Sequence, residues 1–95
     1  MSAYLIADVE VRDPEVYAEY RRQVLPLVES HGGRFVVRGG KHQVLEGEWR
    51  PNRLVIIEFP DMAALKAWYE SPEYTALINL RQGISRGSLV AVEGA

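Results

Sequence analysis

Near the start of the chain the side chains fall on two sides with the two-residue period of a strand: Leu5, Ala7, Val9 and Val11 on one side, and Tyr4, Ile6, Asp8 and Glu10 on the other. This pattern predicts a first strand over Ala3–Val11. Three further β-rich runs predict strands over Arg34–Arg38, Arg53–Phe59 and Ser88–Glu93, and the short apolar run Val44–Glu46 indicates an additional one. We therefore expect one sheet with four main strands.

Three segments carry apolar residues at helical spacing, and each follows a residue that can cap a helix. Asp13 opens a helix that continues to about Ser30, where two glycines follow a histidine. Asp61 caps a second helix, and Ser71 soon caps a third. A loop over 83–87 is expected to lead into the last strand.

The predicted order is strand, helix, strand, strand, split helix, strand. This is the α+β order of a ferredoxin-like βαββαβ domain, with an antiparallel four-stranded sheet and helices on one face. If the other face met water, its strands should alternate apolar with polar residues, yet Leu54–Ile57 is apolar at every position. We therefore expect residues 1–95 to form a single domain that pairs with a second copy of itself through the uncovered sheet face.

Composition excludes several classes of function. The net charge is −2, and acids and bases are interspersed, so no basic stripe favours nucleic acid or an anionic membrane. The absence of cysteine excludes disulfides and thiolate sites. The N-terminus has no signal-peptide pattern and no apolar run reaches ~18 residues, so a cytoplasmic location is expected.

Several runs, taken together, resemble one bacterial family. They are Tyr4–Val9, His31–Phe35, Arg38–Gly40, Leu45–Trp49, Ile57–Pro60 and Ala67–Tyr74. In combination they span nearly the whole chain and are similar to the family numbered 1330 among the domains of unknown function. The resemblance implies a dimeric α+β barrel, a fold shared with cofactor-free monooxygenases, muconolactone isomerase and haem-processing proteins. It implies no established activity.

Three charged residues, Asp8, Arg38 and Glu58, interrupt otherwise apolar strands. A lone charge in such a place is costly, so each needs a partner or water. Strand parity allows all three to share one sheet face, where Glu58 or Asp8 would transfer a proton and Arg38 would hold an anionic substrate. The alternative is a structural network of ion pairs, or exposure at the end of the sheet.

Aromatic residues are numerous for so short a chain, and aromatic walls with polar tips suit a pocket for a flat or apolar ligand. Trp68, Tyr74 and Tyr20 are candidates to line such a pocket between helices and sheet, although their helical spacing also suits a plain core. Trp49, in the irregular connection before the third strand, is a candidate pocket lid or dimer contact.

The two histidines, His31 and His42, lie eleven positions apart and lack the spacing of metal ligands, so no metal site is expected. His42, in a glycine-flanked loop, is a candidate acid or base, or simply an exposed loop residue. Neither glycine pair has a phosphate-binding pattern, and no cofactor is expected.

The leading hypothesis is a homodimeric domain that binds a small organic compound, an aromatic or apolar acid. As an enzyme, such a domain would be a cofactor-independent oxygenase or isomerase. The alternative hypothesis is a noncatalytic regulatory or structural dimerisation module. RNA binding, which uses the same element order, is disfavoured because the third strand lacks exposed aromatics and the Lys/Arg-Gly-aromatic pattern.

Overall fold

The computed structural model describes residues 1–83 and 85–95. Its elements are β1 (Ala3–Val11), α1 (Pro14–Ser30), β2 (Arg34–Arg38), β3 (Leu54–Phe59), α2 (Met62–Tyr69), α3 (Pro72–Gln82) and β4 (Ser85–Glu93). The strands pair antiparallel in the order β2-β3-β1-β4. This topology confirms the ferredoxin-like α+β fold, including the split second helix.

Each helix begins at its predicted cap. The capping bonds run from Val16 N to Asp13 Oδ1 at 3.3 Å, from Ala64 N to Asp61 Oδ1 at 2.7 Å, and from Tyr74 N to Ser71 Oγ at 3.2 Å. These bonds satisfy amides that a helix leaves free at its first turn. Because Ser71 opens α3, Tyr74 lies in the first turn of that helix.

Two predicted boundaries are wrong. Residues 44–46 form no strand, and the whole stretch 41–50 is exposed. The last strand begins at Ser85 rather than Ser88, because its first residues pair with the end of β1, where Val11 lies opposite Ser85. Backbone pairing here overrides the low strand propensity of small residues. Of the loop predicted over 83–87, residue 84 lies outside the described residues.

The sheet has two unlike faces. The face under the helices, called the inner face, carries the buried residues Leu5, Ala7, Val9, Val55, Ile57 and Phe59. The opposite, outer face carries Tyr4, Ile6, Leu54, Ile56, Val90 and Val92, which are half-buried or exposed. Within the part of the chain that the structure describes, no helix covers this outer face, in agreement with the predicted uncovered sheet.

A bulge in β2 changes where its last residue points. The register pairs Phe35 with Ile57 and then shifts by one residue, so that Val37 pairs with Ile56 and Arg38 with Val55. A shift of one residue moves a side chain to the other face of a sheet. Arg38 therefore lies on the inner face, and the prediction that it shares a face with Asp8 and Glu58 is wrong.

Candidate functional site

A cavity of about 50 Å³ lies between the helices and the inner face of the sheet. We call it the inner chamber. Its lining comes from the sheet and from helices α1, α2 and α3, and comprises Leu5, Ala7, Val9, Tyr17, Tyr20, Arg21, Val24, Leu25, Phe35, Arg38, Arg53, Val55, Ile57, Trp68, Tyr74, Arg81 and Leu89. Most of these side chains are aliphatic or aromatic, so the chamber is largely apolar.

Aromatic side chains from two helices meet in this lining. The hydroxyl groups of Tyr20 on α1 and Tyr74 on α3 are hydrogen-bonded at 2.8 Å and buried. The rings of Trp68 and Tyr74 lie 4.2 Å apart between centroids. Burial raises the pKa of both tyrosines above the ordinary value of 10.0, because a phenolate would lose its water. Both therefore stay protonated at neutral pH.

The polar part of the lining is rich in hydrogen-bond donors. Among the described lining residues are four arginines, Arg21, Arg38, Arg53 and Arg81, and no aspartate or glutamate. Arg81 is only 7% exposed. Among the described residues, the buried side-chain nitrogens without a hydrogen-bond partner are Arg81 Nε, Arg53 Nε and Trp68 Nε1, all on residues that line the chamber. Such a lining is complementary to a ligand with acceptor oxygens and negative charge.

A wider recess of about 490 Å³ adjoins the chamber at the end of the sheet where β1 runs into α1. We call it the outer cleft. Val9, Tyr17, Arg21 and Arg53 line both the outer cleft and the inner chamber. These four residues therefore form the boundary between the outer cleft and the inner chamber.

Two of the arginines are held by local contacts. The Arg38 guanidinium carbon lies 4.6 Å from the centroid of the Phe35 ring, and that of Arg53 lies 5.9 Å from the Tyr17 ring. Gly39 has a φ of +70°, and a side chain there would collide with the Arg53 guanidinium. Glycine at position 39 thus leaves the space that Arg53 occupies.

Asp8 lies on the outer face, outside the chamber lining. Its carboxylate accepts hydrogen bonds from Trp49 Nε1 at 2.9 Å and from the Asn52 amide at 2.8 Å. The Trp49 bond, followed by the Asn52 bond, lowers the pKa of this carboxyl group because both stabilise its charged form. Asp8 is therefore an ionised hydrogen-bond acceptor that holds the connection between β2 and β3.

Glu58 also lies on the outer face, toward the other end of β1, where it pairs with Tyr4. Its carboxylate accepts hydrogen bonds from Arg34 Nε at 2.8 Å and from the Tyr4 hydroxyl at 3.2 Å. The Arg34 bond is the main reason that its pKa is lowered. These contacts form a local ion-pair network across β2, β3 and β1.

His42 lies in the exposed connection after β2, with Nε2 3.1 Å from the Pro51 carbonyl oxygen. In residues 1–83 and 85–95, no three His, Asp or Glu side chains lie close enough together to hold a metal ion. Over the same residues, no helix is both long and apolar enough to cross a membrane.

The structure separates the predicted site residues into two groups. Arg38, Trp68, Tyr74 and Tyr20 line the inner chamber, whereas Trp49, Asp8, Glu58 and His42 do not. Their functional roles stay predictions. Sequence reasoning missed the other three arginines of the lining. Arg81 alone carried a usable signal, because it falls on the apolar face of α3 beside Tyr74 and Leu77.

The family model for the domain of unknown function DUF1330 matches residues 2–95. The chain belongs to this family. The match covers nearly the whole length of the DUF1330 chain and confirms the resemblance seen in its sequence motifs. A comparison with curated proteins found no match.

Solved structures share the fold of this DUF1330 chain. RPA0582, a protein of unknown function from Rhodopseudomonas palustris, is 23% identical with a TM-score of 0.80, over 99% of this chain and 82% of that one. SnoaB, a cofactor-independent oxygenase from Streptomyces nogalater, is 14% identical with a TM-score of 0.69, over 99% and 93%. A dimeric ferredoxin-like protein of unknown function from Jannaschia sp. CCS1 is 14% identical with a TM-score of 0.64, over 99% and 100%. At these identities the likeness establishes the fold alone.

Proposed function

We propose that this chain is a homodimeric binding domain for a small organic acid with an apolar or aromatic body, which it holds at the inner chamber and outer cleft. The observation that carries the proposal is the arginine-rich lining, which contains no carboxylate among the described residues of the chamber. A bound acid would supply the missing negative charge. The aromatic side chains would contact its apolar part.

Arg81 is the strongest part of this argument. It is buried, and within the described part of the chain it forms no ion pair. Its guanidinium contacts the Tyr74 hydroxyl, which is neutral and supplies no counter-charge. A buried charge without a counter-ion costs several kcal/mol, and such charges usually have one. A ligand carboxylate in the chamber would supply that counter-charge. It would accept hydrogen bonds from Arg81 Nε and Trp68 Nε1, two nitrogens that have no described hydrogen-bond partner.

The two volumes constrain how the acid binds. An engineered protein cavity that takes up benzene measures about 150 Å³, whereas about 10–15 Å³ suffices for one water. The inner chamber, at about 50 Å³, has room for a head group such as a carboxylate and not for a ring. The outer cleft, at about 490 Å³, has room for the ring or alkyl body. We therefore place the carboxylate inward and the body in the cleft.

Ligand titration tests this proposal directly. We expect benzoate, phenylacetate and hexanoate to bind and to raise the melting temperature, while the matched amides do not, because the amides carry no charge for the arginines. Arg81→Gln should weaken acid binding by about tenfold, since a charge-assisted bond is lost. Arg12→Gln, at an exposed position outside the lining, is the matched control. Equal binding of acids and amides would overturn the proposal.

The homodimer is proposed from the outer face. Val90 is 56% exposed and faces Ile6 across the sheet, so the face is apolar and open to a second sheet. One structural neighbour is itself described as a dimeric ferredoxin-like protein. Val90→Asp should convert the dimer to a folded monomer, which light scattering after size exclusion would detect. A wild-type monomer at micromolar concentration would count against the dimer.

A second candidate function is cofactor-independent oxygenation, which the fold shared with SnoaB favours. Arginine side chains can stabilise the oxyanion of a deprotonated phenol or enol. Against it, the described chamber lining has no imidazole or carboxylate that would accept the substrate proton. Dioxygen uptake with hydroquinones, in the absence of added cofactor, separates the two candidates. A binding domain consumes none, whereas an oxygenase shows saturable uptake that Arg81→Gln abolishes.

A further inference from the structure

The connection between β2 and β3 is held to the sheet at one side chain. Its residues, 39–53, form no helix or strand, and the stretch 40–50 is exposed. Connections of this length without regular structure are uncommon in small domains and are often functional. Both carboxylate oxygens of Asp8 are used here, Oδ2 by Trp49 and Oδ1 by Asn52.

The other described hydrogen bonds of this connection do not replace Asp8. His42 contacts the Pro51 carbonyl and Arg50 donates to the Gly47 carbonyl, so both bonds are internal to the connection. Backbone bonds fix only its two ends: Gly39 N donates to Leu54 O at 2.7 Å, and Val9 N donates to Arg53 O at 3.0 Å. Within the described residues, Asp8 is thus the sheet side chain that holds the interior of the connection.

The end of this connection enters the proposed ligand site. Asn52, whose amide donates to Asp8, lines the outer cleft. The next residue, Arg53, lines both the cleft and the inner chamber. Its guanidinium occupies the space beside Gly39, at the opposite end of the same connection. The placement of Arg53 therefore depends on both ends of the connection keeping their positions.

We propose that Asp8 is a positioning residue that, through Trp49 and Asn52, holds the connection 39–53 so that Arg53 faces the ligand site. Neighbouring residues of a strand point to opposite faces, so Asp8 acts from the outer face while Val9 lines the chamber. The effect of Asp8 on ligand affinity rests on the proposed function. The positioning of Arg53 by Asp8 is independent of that function.

A dimer formed through the outer face, as proposed above, would couple the two faces of the sheet through this geometry. Trp49 is 58% exposed, so water competes for its bond to Asp8. A second copy seated on the outer face would exclude that water and strengthen the bond. Coupling free energies are reciprocal, so a ligand that draws Arg53 into place would also favour the dimer.

The test compares Asp8→Ala and Trp49→Phe with Glu48→Gln, which removes a neighbouring carboxylate that makes no described hydrogen bond. In Asp8→Ala we expect hydrogen exchange of the Asn52 amide to accelerate by about tenfold or more, because its acceptor is gone. The Arg53 Nε–H resonance should shift in both Asp8→Ala and Trp49→Phe, and both variants should bind benzoate about threefold or more weakly than the wild type. Glu48→Gln should match the wild type. Asp8→Asn, which keeps one acceptor oxygen, should lie between.

Each outcome is decisive. Unchanged Asn52 exchange and Arg53 resonance in Asp8→Ala would overturn the proposal. If Asp8→Ala does not fold, an unchanged Arg53 resonance in Trp49→Phe, which keeps the Asn52 bond, would overturn it instead. Equal weakening by Glu48→Gln would also overturn it, because the effect would then be general electrostatics. In a third outcome, Asp8→Ala and Trp49→Phe shift the Arg53 Nε–H resonance, but neither the wild type nor any variant binds benzoate. That result would support the positioning role of Asp8 and would overturn the proposed function.

Discussion

The inner and outer faces of this sheet are both largely apolar, but they differ in the charged groups that lie beside them. The inner face packs against the helices, and four arginines from α1, β2, α3 and the connection before β3 border a small chamber there. The outer face, open in the single chain, is mainly aliphatic and carries the carboxylates Asp8 and Glu58. The arginines that border the chamber make no described ion pair, whereas on the uncovered side Glu58 pairs with Arg34.

This difference shows how one short strand serves two purposes. Because successive residues of β1 alternate between the faces, Val9 borders the ligand site while Asp8 holds the connection on the other side. A buried face with unpaired charge suits ligand binding, and an apolar open face suits self-association. Both proposed functions therefore follow from the comparison of the two faces.

The largest effect on stability should come from truncating a large side chain in the core beneath the helices. Phe59 is 0% exposed, so Phe59→Ala should lower the free energy of unfolding by about 3–5 kcal/mol. Val90→Ala on the outer face should cost little in the monomer. Its cost should grow with protein concentration if that face is the dimer interface, whereas the cost of Phe59→Ala should not. Urea unfolding over a dilution series measures both, and concentration-independent costs for both would contradict the comparison.

The buried hydroxyl pair should give the next largest effect. Tyr20→Phe or Tyr74→Phe alone leaves the other hydroxyl buried without this hydrogen bond, which should lower the free energy of unfolding by about 1–3 kcal/mol. The double variant removes both hydroxyls and should cost less than the sum of the single changes. A double-mutant cycle by chemical denaturation measures this coupling. Strict additivity would mean that the two hydroxyls do not depend on each other.

Replacing the buried arginine should stabilise the protein. Arg81→Met keeps much of the side-chain volume and removes the desolvated charge, so the free energy of unfolding should rise by about 1 kcal/mol or more. The same change should abolish benzoate binding. Arg38→Met, at an exposed residue of the lining, should change stability by less than about 0.5 kcal/mol. A clear loss of stability in Arg81→Met would show that Arg81 is a structural residue.

The smallest effect should be the pH dependence due to Asp8. Its pKa in the folded chain lies below the ordinary 3.8, so its contribution to stability is present above that value and is lost as the pH falls through the lowered pKa. Trp49→Phe removes the largest cause of the lowering. Unfolding measured in acid should therefore show a weaker loss attributable to Asp8 in Trp49→Phe than in the wild type. Identical acid profiles would argue against the Asp8–Trp49 bond in solution.

Much of the fold was predictable because it depends on local signals. Alternation defined β1, and the caps Asp13, Asp61 and Ser71 placed the helix starts. The aromatic residues Trp68 and Tyr74 were recognised as lining candidates from their helical spacing. The predicted strand at 44–46 failed because an apolar run without a pairing partner does not form a strand.

The sequence by itself determined the element order, the family and the presence of an uncovered apolar sheet face, since each depends on residues close together in the chain. Only the tertiary structure decided which charges meet. One extra residue in β2 moves Arg38 to the inner face, and no local pattern reveals that register shift. Arg21, Arg53 and Arg81 converge from three separate elements. Their meeting is a property of packing between distant segments, which periodicity along the chain does not encode.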